Sequence, residues 1–169
     1  MEALAEEMRA DSKIFHLSTD APTPLVDEFG AQRIRSTPIA ESALTGMAIG
    51  AAGSGYRPIV DWRMVTFCFV AMDQIVNQAA KIHYMFGGQA TFPILFRASV
   101  GGGTRRAAQH SQSPYSMFMN LAGLKMILPS TPAAVIFPRA WRSAEQDTAM
   151  PTGLDAPWRG SRTTRTSWQ

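Results

Sequence analysis

The sequence predicts an α/β fold, a parallel sheet with helices on both faces and therefore three layers. Three observations carry this. Short apolar runs (13–17, 59–62 and 92–96) alternate with stretches of helical periodicity. The helical stretches end on glycine, at Gly53-Ser54-Gly55 and at Gly87-Gly88. The composition, 46% apolar and 17% charged over 169 residues, is that of one globular domain with a sizeable core.

Residues 1–9, rich in Ala, Leu and Glu, read as a helix, and 13–17 as a short strand. Residues 18–35 contain Pro22, Pro24 and Gly30, and read as a loop with at most a helical turn over 25–29. Residues 36–55 begin with a Thr37-Pro38 turn. This turn delivers Glu41 to the start of an apolar helix whose core face is Leu44, Met47, Ala48 and Ala51. Gly46, Gly50 and Gly53 lie within that helix. Each interior glycine costs a helix about 1 kcal/mol, so they predict a close neighbour. A strand follows over 56–63, centred on Ile59-Val60-Asp61-Trp62.

Residues 71–85 give the clearest amphipathic helix, with Met72, Ile75, Val76, Ala79 and Ile82 as its stripe. A buried strand over 92–96, a polar loop over 101–113, a short helix over 115–122 and a strand over 124–128 complete the pattern. Beyond residue 133 the periodicity disappears. The expected division is a domain at 1–137 and a poorly ordered tail at 138–169.

Several function classes are disfavoured. The net charge of +3 is modest and the arginines are scattered, which argues against nucleic acid. Cys68 is the sole cysteine, so no disulfide can close within the chain, which suits a reducing cytoplasm. The first eleven residues lack the basic and apolar regions of a signal peptide. The most apolar window, 58–76, is interrupted by Asp61, Arg63, Asp73 and Gln74 and does not read as a membrane span. One cysteine and three dispersed histidines offer no metal-ligand spacing.

Two places offer chemistry. Glu41 is either a first-turn charge matched to the helix dipole or a positioned acid. His110, in Ala107-Ala108-Gln109-His110-Ser111-Gln112-Ser113, lies in a loop after a strand, where α/β proteins bind ligands. It is either a surface histidine or a general acid or base. A hydrolase using Ser111 or Ser113 with His110 lacks the G-x-S-x-G elbow. Gly101–Gly103 with Arg105 and Arg106 offers cations for a phosphate, but no P-loop. Phe67 and Phe69 read as core aromatics, and His16 and His83 as half-buried structural residues.

Five stretches in register carry a family resemblance: Arg35-Ser-Thr-Pro-Ile-Ala-Glu41, Met72-Asp-Gln-Ile-Val-Asn-Gln-Ala-Ala-Lys81, Tyr84-Met-Phe-Gly-Gly-Gln89, Ala108-Gln-His-Ser-Gln-Ser113 and Pro129-Ser-Thr-Pro132. Over about residues 1–132 the chain resembles the beta subunit of thiamine-diphosphate-dependent 2-oxoacid dehydrogenases of the pyruvate, branched-chain and acetoin types. The resembling part is the transketolase-like pyrimidine-binding domain. The resemblance implies that Glu41 hydrogen-bonds the aminopyrimidine of thiamine diphosphate, that Phe67 stacks on that ring, and that His110 handles protons near the substrate and the lipoyl acceptor. It implies an alpha-subunit partner, whose G-D-G…N motif would hold the diphosphate and Mg²⁺. Further expected partners are a second beta subunit, through the 71–85 helix, and the lipoyl acyltransferase core. Nothing in the resemblance calls for nucleic acid or a membrane.

The chain also departs from that pattern. Thr19 stands where the family usually has an acid, and the connection to Thr37 is shorter than usual. The resemblance stops after Pro132, which reads as a truncated homologue. A non-catalytic remnant or interaction protein is the alternative reading.

Overall fold

The structure is a computed structural model, and it describes residues 2–128. The tail at 138–169, and the upper edge of the expected domain from residue 129, lie outside the described residues.

Four parallel strands form one sheet in the order β2-β1-β3-β4: β1 is Ile14–Ser18, β2 Ile34–Ser36, β3 Arg57–Met64 and β4 Leu95–Ser99. Side chains alternate along the strands, so each strand supplies both faces. On one face Leu17, Val60 and Trp62 pack with Leu44 and Ala48 of α3 (Glu41–Gly53) and with Cys68, Ala71 and Ile75. On the other, Ile14, Ile34 and Ile59 pack with Leu4, Ala5 and Met8 of α1 (Glu2–Ala10) and Leu25 of α2 (Thr23–Arg33). The three-layer parallel α/β expectation therefore holds.

The 18–35 loop expectation does not. Residues Thr23–Arg33 are helical (α2), bent at Gly30, which holds φ 73°. Pro24 sits in the first turn, where a missing N–H costs nothing, so it starts this helix rather than breaking it. Strand β2 follows at once, with Ile34 paired to His16. Arg33 fastens the corner by donating to the carbonyls of Met8 and Asp11, each at 2.7 Å, and of Ile14 at 3.0 Å.

Helix α3 forms as expected, but its buried face is Leu44, Thr45, Ala48, Ile49 and Ala52, and Met47 is exposed. Its buried Thr45 accepts a hydrogen bond from Trp62 Nε1 at 3.2 Å, which locks the helix to β3. Trp62 in turn stacks on Phe96 with ring centroids 4.9 Å apart.

The expected α-helix over 71–85 is wound differently. A 3₁₀ segment, Val65–Ala71, leads into a π-helical segment, Gln74–Ala79, and then the short α4, Ile82–Met85. The Ala80 N–H donates to Ile75 O, five residues back. The wider turn rotates the apolar stripe, so that of its five members only Ile75 is buried.

Two strands also differ from expectation. The 92–96 strand is β4, which starts only at Leu95 and is half-buried, because Pro93 has no N–H for the ladder and β4 is a sheet edge. Residues 124–128 form no strand: Met126, Ile127 and Leu128 are exposed. The short helix of 115–122 is a 3₁₀ segment, Pro114–Phe118.

Candidate functional site

The carboxyl ends of β1, β3 and β4 open into a cleft of about 400 Å³. Parallel strands all point their C-termini to one edge, which is why such edges collect ligand-binding loops. Asp20 follows β1, Asp61 and Arg63 end β3, and Arg97 lies on β4. The 3₁₀ segment after β3 contributes Phe67, and the loop after β4 contributes Arg106 and His110.

The floor is charged. Asp61 is paired with Arg97 across the β3–β4 register. Its Oδ2 lies 3.3 Å from Arg97 Nε and 3.6 Å from His16 Nε2, while its Oδ1 accepts the Arg63 N–H at 2.8 Å. Burial pushes the Asp61 carboxyl up. The nearby His16 side chain, the Arg97 charge and the Arg63 N–H together outweigh it and hold the group below the ordinary carboxylate value. At 3.6 Å the His16 contact is longer than a formed hydrogen bond.

His16 itself corrects the sequence reading. It is fully buried, not half-buried, and neither ring nitrogen has a hydrogen-bond partner. His83 behaves as expected, half-buried with Nδ1 2.7 Å from the Ala90 carbonyl.

The three residues singled out in sequence fall into two groups. Phe67 and His110 come together, with ring centroids 5.2 Å apart and planes at 62°. The phenyl ring also packs on the core, and the His110 Nδ1 is buried without a partner. Glu41 does not line the cleft; it is the first residue of α3, and is only 5% exposed. Among the described residues its carboxylate has no hydrogen-bond partner. The next residue, Ser42, donates to the Val70 carbonyl at 2.5 Å, which fastens the head of α3 to the segment carrying Phe67. Glu41 thus heads α3 at the positive end of the helix, with little of the residue exposed.

Neither Ser111 nor Ser113 hydrogen-bonds His110, so the described residues contain no serine nucleophile beside its base. They also contain no cluster of metal-ligating side chains and no helix long and apolar enough to cross a membrane.

Sequence reasoning missed Asp61, Arg63, Arg97 and His16. His16, the Asp61–Arg63 pair and Arg97 are far apart in the chain and meet only through strand register. One signal was available: alternation from Ile59 places Asp61 on the same face, a carboxylate in a core strand that calls for a partner.

Residues 1–154 match the family described as transketolase, pyrimidine binding domain. The chain is 42% identical over 139 residues to the 2-oxoisovalerate dehydrogenase subunit beta of Bacillus subtilis, covering 77% of this chain and 42% of the relative. It is 42% identical over 141 residues to the pyruvate dehydrogenase E1 component subunit beta of Rhizobium meliloti, covering 78% and 31%. Against the acetoin:2,6-dichlorophenolindophenol oxidoreductase subunit beta of Cupriavidus necator it is 53% identical over 100 residues, covering 59% and 30%. The chain spans less than half the length of these relatives.

Proposed function

The chain belongs to the transketolase pyrimidine-binding domain family, and on that premise we propose that it is the pyrimidine-binding part of a 2-oxoacid dehydrogenase beta subunit. It would work with an alpha subunit in the oxidative decarboxylation of a 2-oxoacid and in acyl transfer to lipoyl groups of an acyltransferase core. The names of the relatives support the class of reaction.

The observation that carries the reading is Glu41: a residue only 5% exposed, whose carboxylate has no partner among the described residues, at the head of a helix locked to the sheet by Trp62 and Thr45. Such a group is costly to bury unless a ligand satisfies it. The donor set fits the aminopyrimidine of thiamine diphosphate, whose ring nitrogen and amino group can share a proton with a carboxyl. When bound, this cofactor supplies the nucleophilic carbon for 2-oxoacid decarboxylation.

In this reading the chain's own residues have three tasks. Glu41 holds a proton at its carboxyl, facing the pyrimidine nitrogen. Phe67 offers a ring face, backed by the core, against which the pyrimidine is oriented. His110, held edge-on to Phe67, gives or takes a proton at its imidazole on the substrate side. The diphosphate and Mg²⁺ are assigned to the alpha subunit. Exposed Tyr84, Met85 and Phe86, at the end of α4, supply an apolar surface for a subunit contact, with the alpha subunit or a second beta subunit.

The test is co-expression with an alpha subunit and an oxoacid-dependent dye-reduction assay. Glu41→Gln is expected to lower kcat by about 10²–10⁴-fold, the range for removing a general acid–base. Unchanged turnover in Glu41→Gln would remove Glu41 from the mechanism. An inactive wild-type complex would favour a non-catalytic interaction protein.

A further inference from the structure

We propose that Trp62 is a positioning residue for Glu41, acting through its hydrogen bond to Thr45; this role rests on the thiamine reading of Glu41 given above. Neither Trp62 nor Thr45 lines the cleft.

The indole is held by the sheet. Trp62 lies on β3 and is 7% exposed, and its ring stacks on Phe96 of β4 with the planes 11° apart. An indole has one polar atom, the Nε1–H, which only donates and needs an acceptor once it leaves water. The acceptor is the Oγ1 of fully buried Thr45, at 3.2 Å.

Thr45 follows Glu41 by four residues in α3 and shares its buried face. Residues so spaced are neighbours on a helix, and side chains lean towards its N-terminus, so Thr45 leans on the turn that Glu41 begins. Apart from Leu44 and Ile49 this side of the helix is small: Ala48 and Ala52 are buried, and Gly46 offers no side chain to the adjacent Gln74. Helices are keyed to their neighbours by side-chain ridges, and small residues make shallow ones. A directional hydrogen bond then decides where the helix stops. Ser42 adds a second tie by donating to the Val70 carbonyl at 2.5 Å, on the 3₁₀ segment that carries Phe67. The separation of acid and ring, which the pyrimidine has to span, is thus set by residues outside the cleft.

The test has two arms. In the full chain alone, the Trp62 indole N–H proton is assigned among four tryptophans by its loss in W62F. The Glu41 carboxyl carbon is assigned among six glutamates by its loss in E41Q. T45V removes the acceptor at nearly constant shape and should move both resonances, whereas T45S keeps the hydroxyl and should leave both near their wild-type positions. W62F deletes the same bond from the other end and should also move the Glu41 carbon, so either variant suffices if the other does not fold. In the complex with an alpha subunit, thiamine diphosphate and Mg²⁺, T45V and W62F should each lower kcat about tenfold, with the oxoacid KM changed less than about twofold. T45S should restore kcat to within about twofold of wild type. T45V should slow E41Q no further, because the tie acts through the carboxyl alone. A Glu41 resonance unmoved by the variants overturns the role of Trp62, even where E41Q is slow. So does a T45V that slows E41Q as much as it slows the wild type. Wild-type turnover in E41Q overturns the thiamine reading and the role with it, even where T45V moves the resonance.

Discussion

Asp61 occupies a position where an apolar residue would be expected, at 7% exposure on the central strand. It is tolerated because Arg97, His16 and the Arg63 N–H surround it. Its pKa is lower in the folded chain than in the unfolded one. The stabilisation is therefore complete above the unfolded value of about 3.9, and is lost as pH falls through the folded value. Asp61→Asn keeps an acceptor for the Arg63 N–H but strands the Arg97 charge. At pH 7 it is expected to lower stability by about 1–3 kcal/mol, discounted because Arg97 is partly exposed. As pH falls below the unfolded value the gap to wild type should narrow. Urea midpoints at pH 7 and pH 3 measure both; a gap that widens in acid would contradict the assigned charge contacts. At this scale, motif order in the sequence was enough to point to Glu41, Phe67 and His110. It could not show Asp61 beside Arg97, because that contact depends on which strands become neighbours.

Among the helices, α3 shows what periodicity reads well and what it misses. The helix and its acid at the head were readable from the Thr-Pro turn and the apolar spacing, and the close neighbours implied by its glycines exist at two of three positions. A Cβ on Gly53 would come within 2.8 Å of the Phe92 ring, and one on Gly46 within 3.1 Å of Gln74 Oε1; one on Gly50 meets open space. Gly50→Ala is therefore expected to stabilise the protein by about 0.5–1 kcal/mol through helix propensity alone. Gly53→Ala should gain nothing or destabilise, because the ring must move. Thermal melts of the two variants would decide this, and equal Tm shifts would refute the packing argument. The 71–85 stretch misled for a physical reason: a periodicity of 3.6 cannot signal an inserted turn with i to i+5 hydrogen bonding. Gly123 belongs to the same corner. At φ 98° a side chain there would collide with the Ala80 carbonyl, so the bare backbone lets the π-helical corner and the 121–124 turn touch.

For the molecule as a whole, strand–helix alternation was enough to read the layers, while the sheet order β2-β1-β3-β4 came only from the structure. That order puts β3 in the middle, so the charged floor is shared among strands that follow widely separated helices. It also leaves α4 at the periphery, where Tyr84, Met85 and Phe86 are 57%, 71% and 56% exposed. Exposed apolar clusters of this kind are commonly covered by a partner. Replacing Met85 with Lys and Phe86 with Ser is expected to leave the chain folded, since neither side chain is buried, and to reduce co-purification with an alpha subunit at least tenfold. Undiminished co-purification would move the contact to another surface.

The all-parallel sheet also sets an order for synthesis. Strands β1 and β2 are complete by Ser36, but β3 gains its second neighbour only when Ser99 has left the ribosome. At about 5–20 residues per second the unpaired side of β3, with Ile59 and Val60 in its ladder, stays open for a few seconds. During that interval a nascent chain presents an apolar strand edge to whatever is nearby. The central strand that organises the finished sheet is therefore also the segment that most needs protection while the chain is being made.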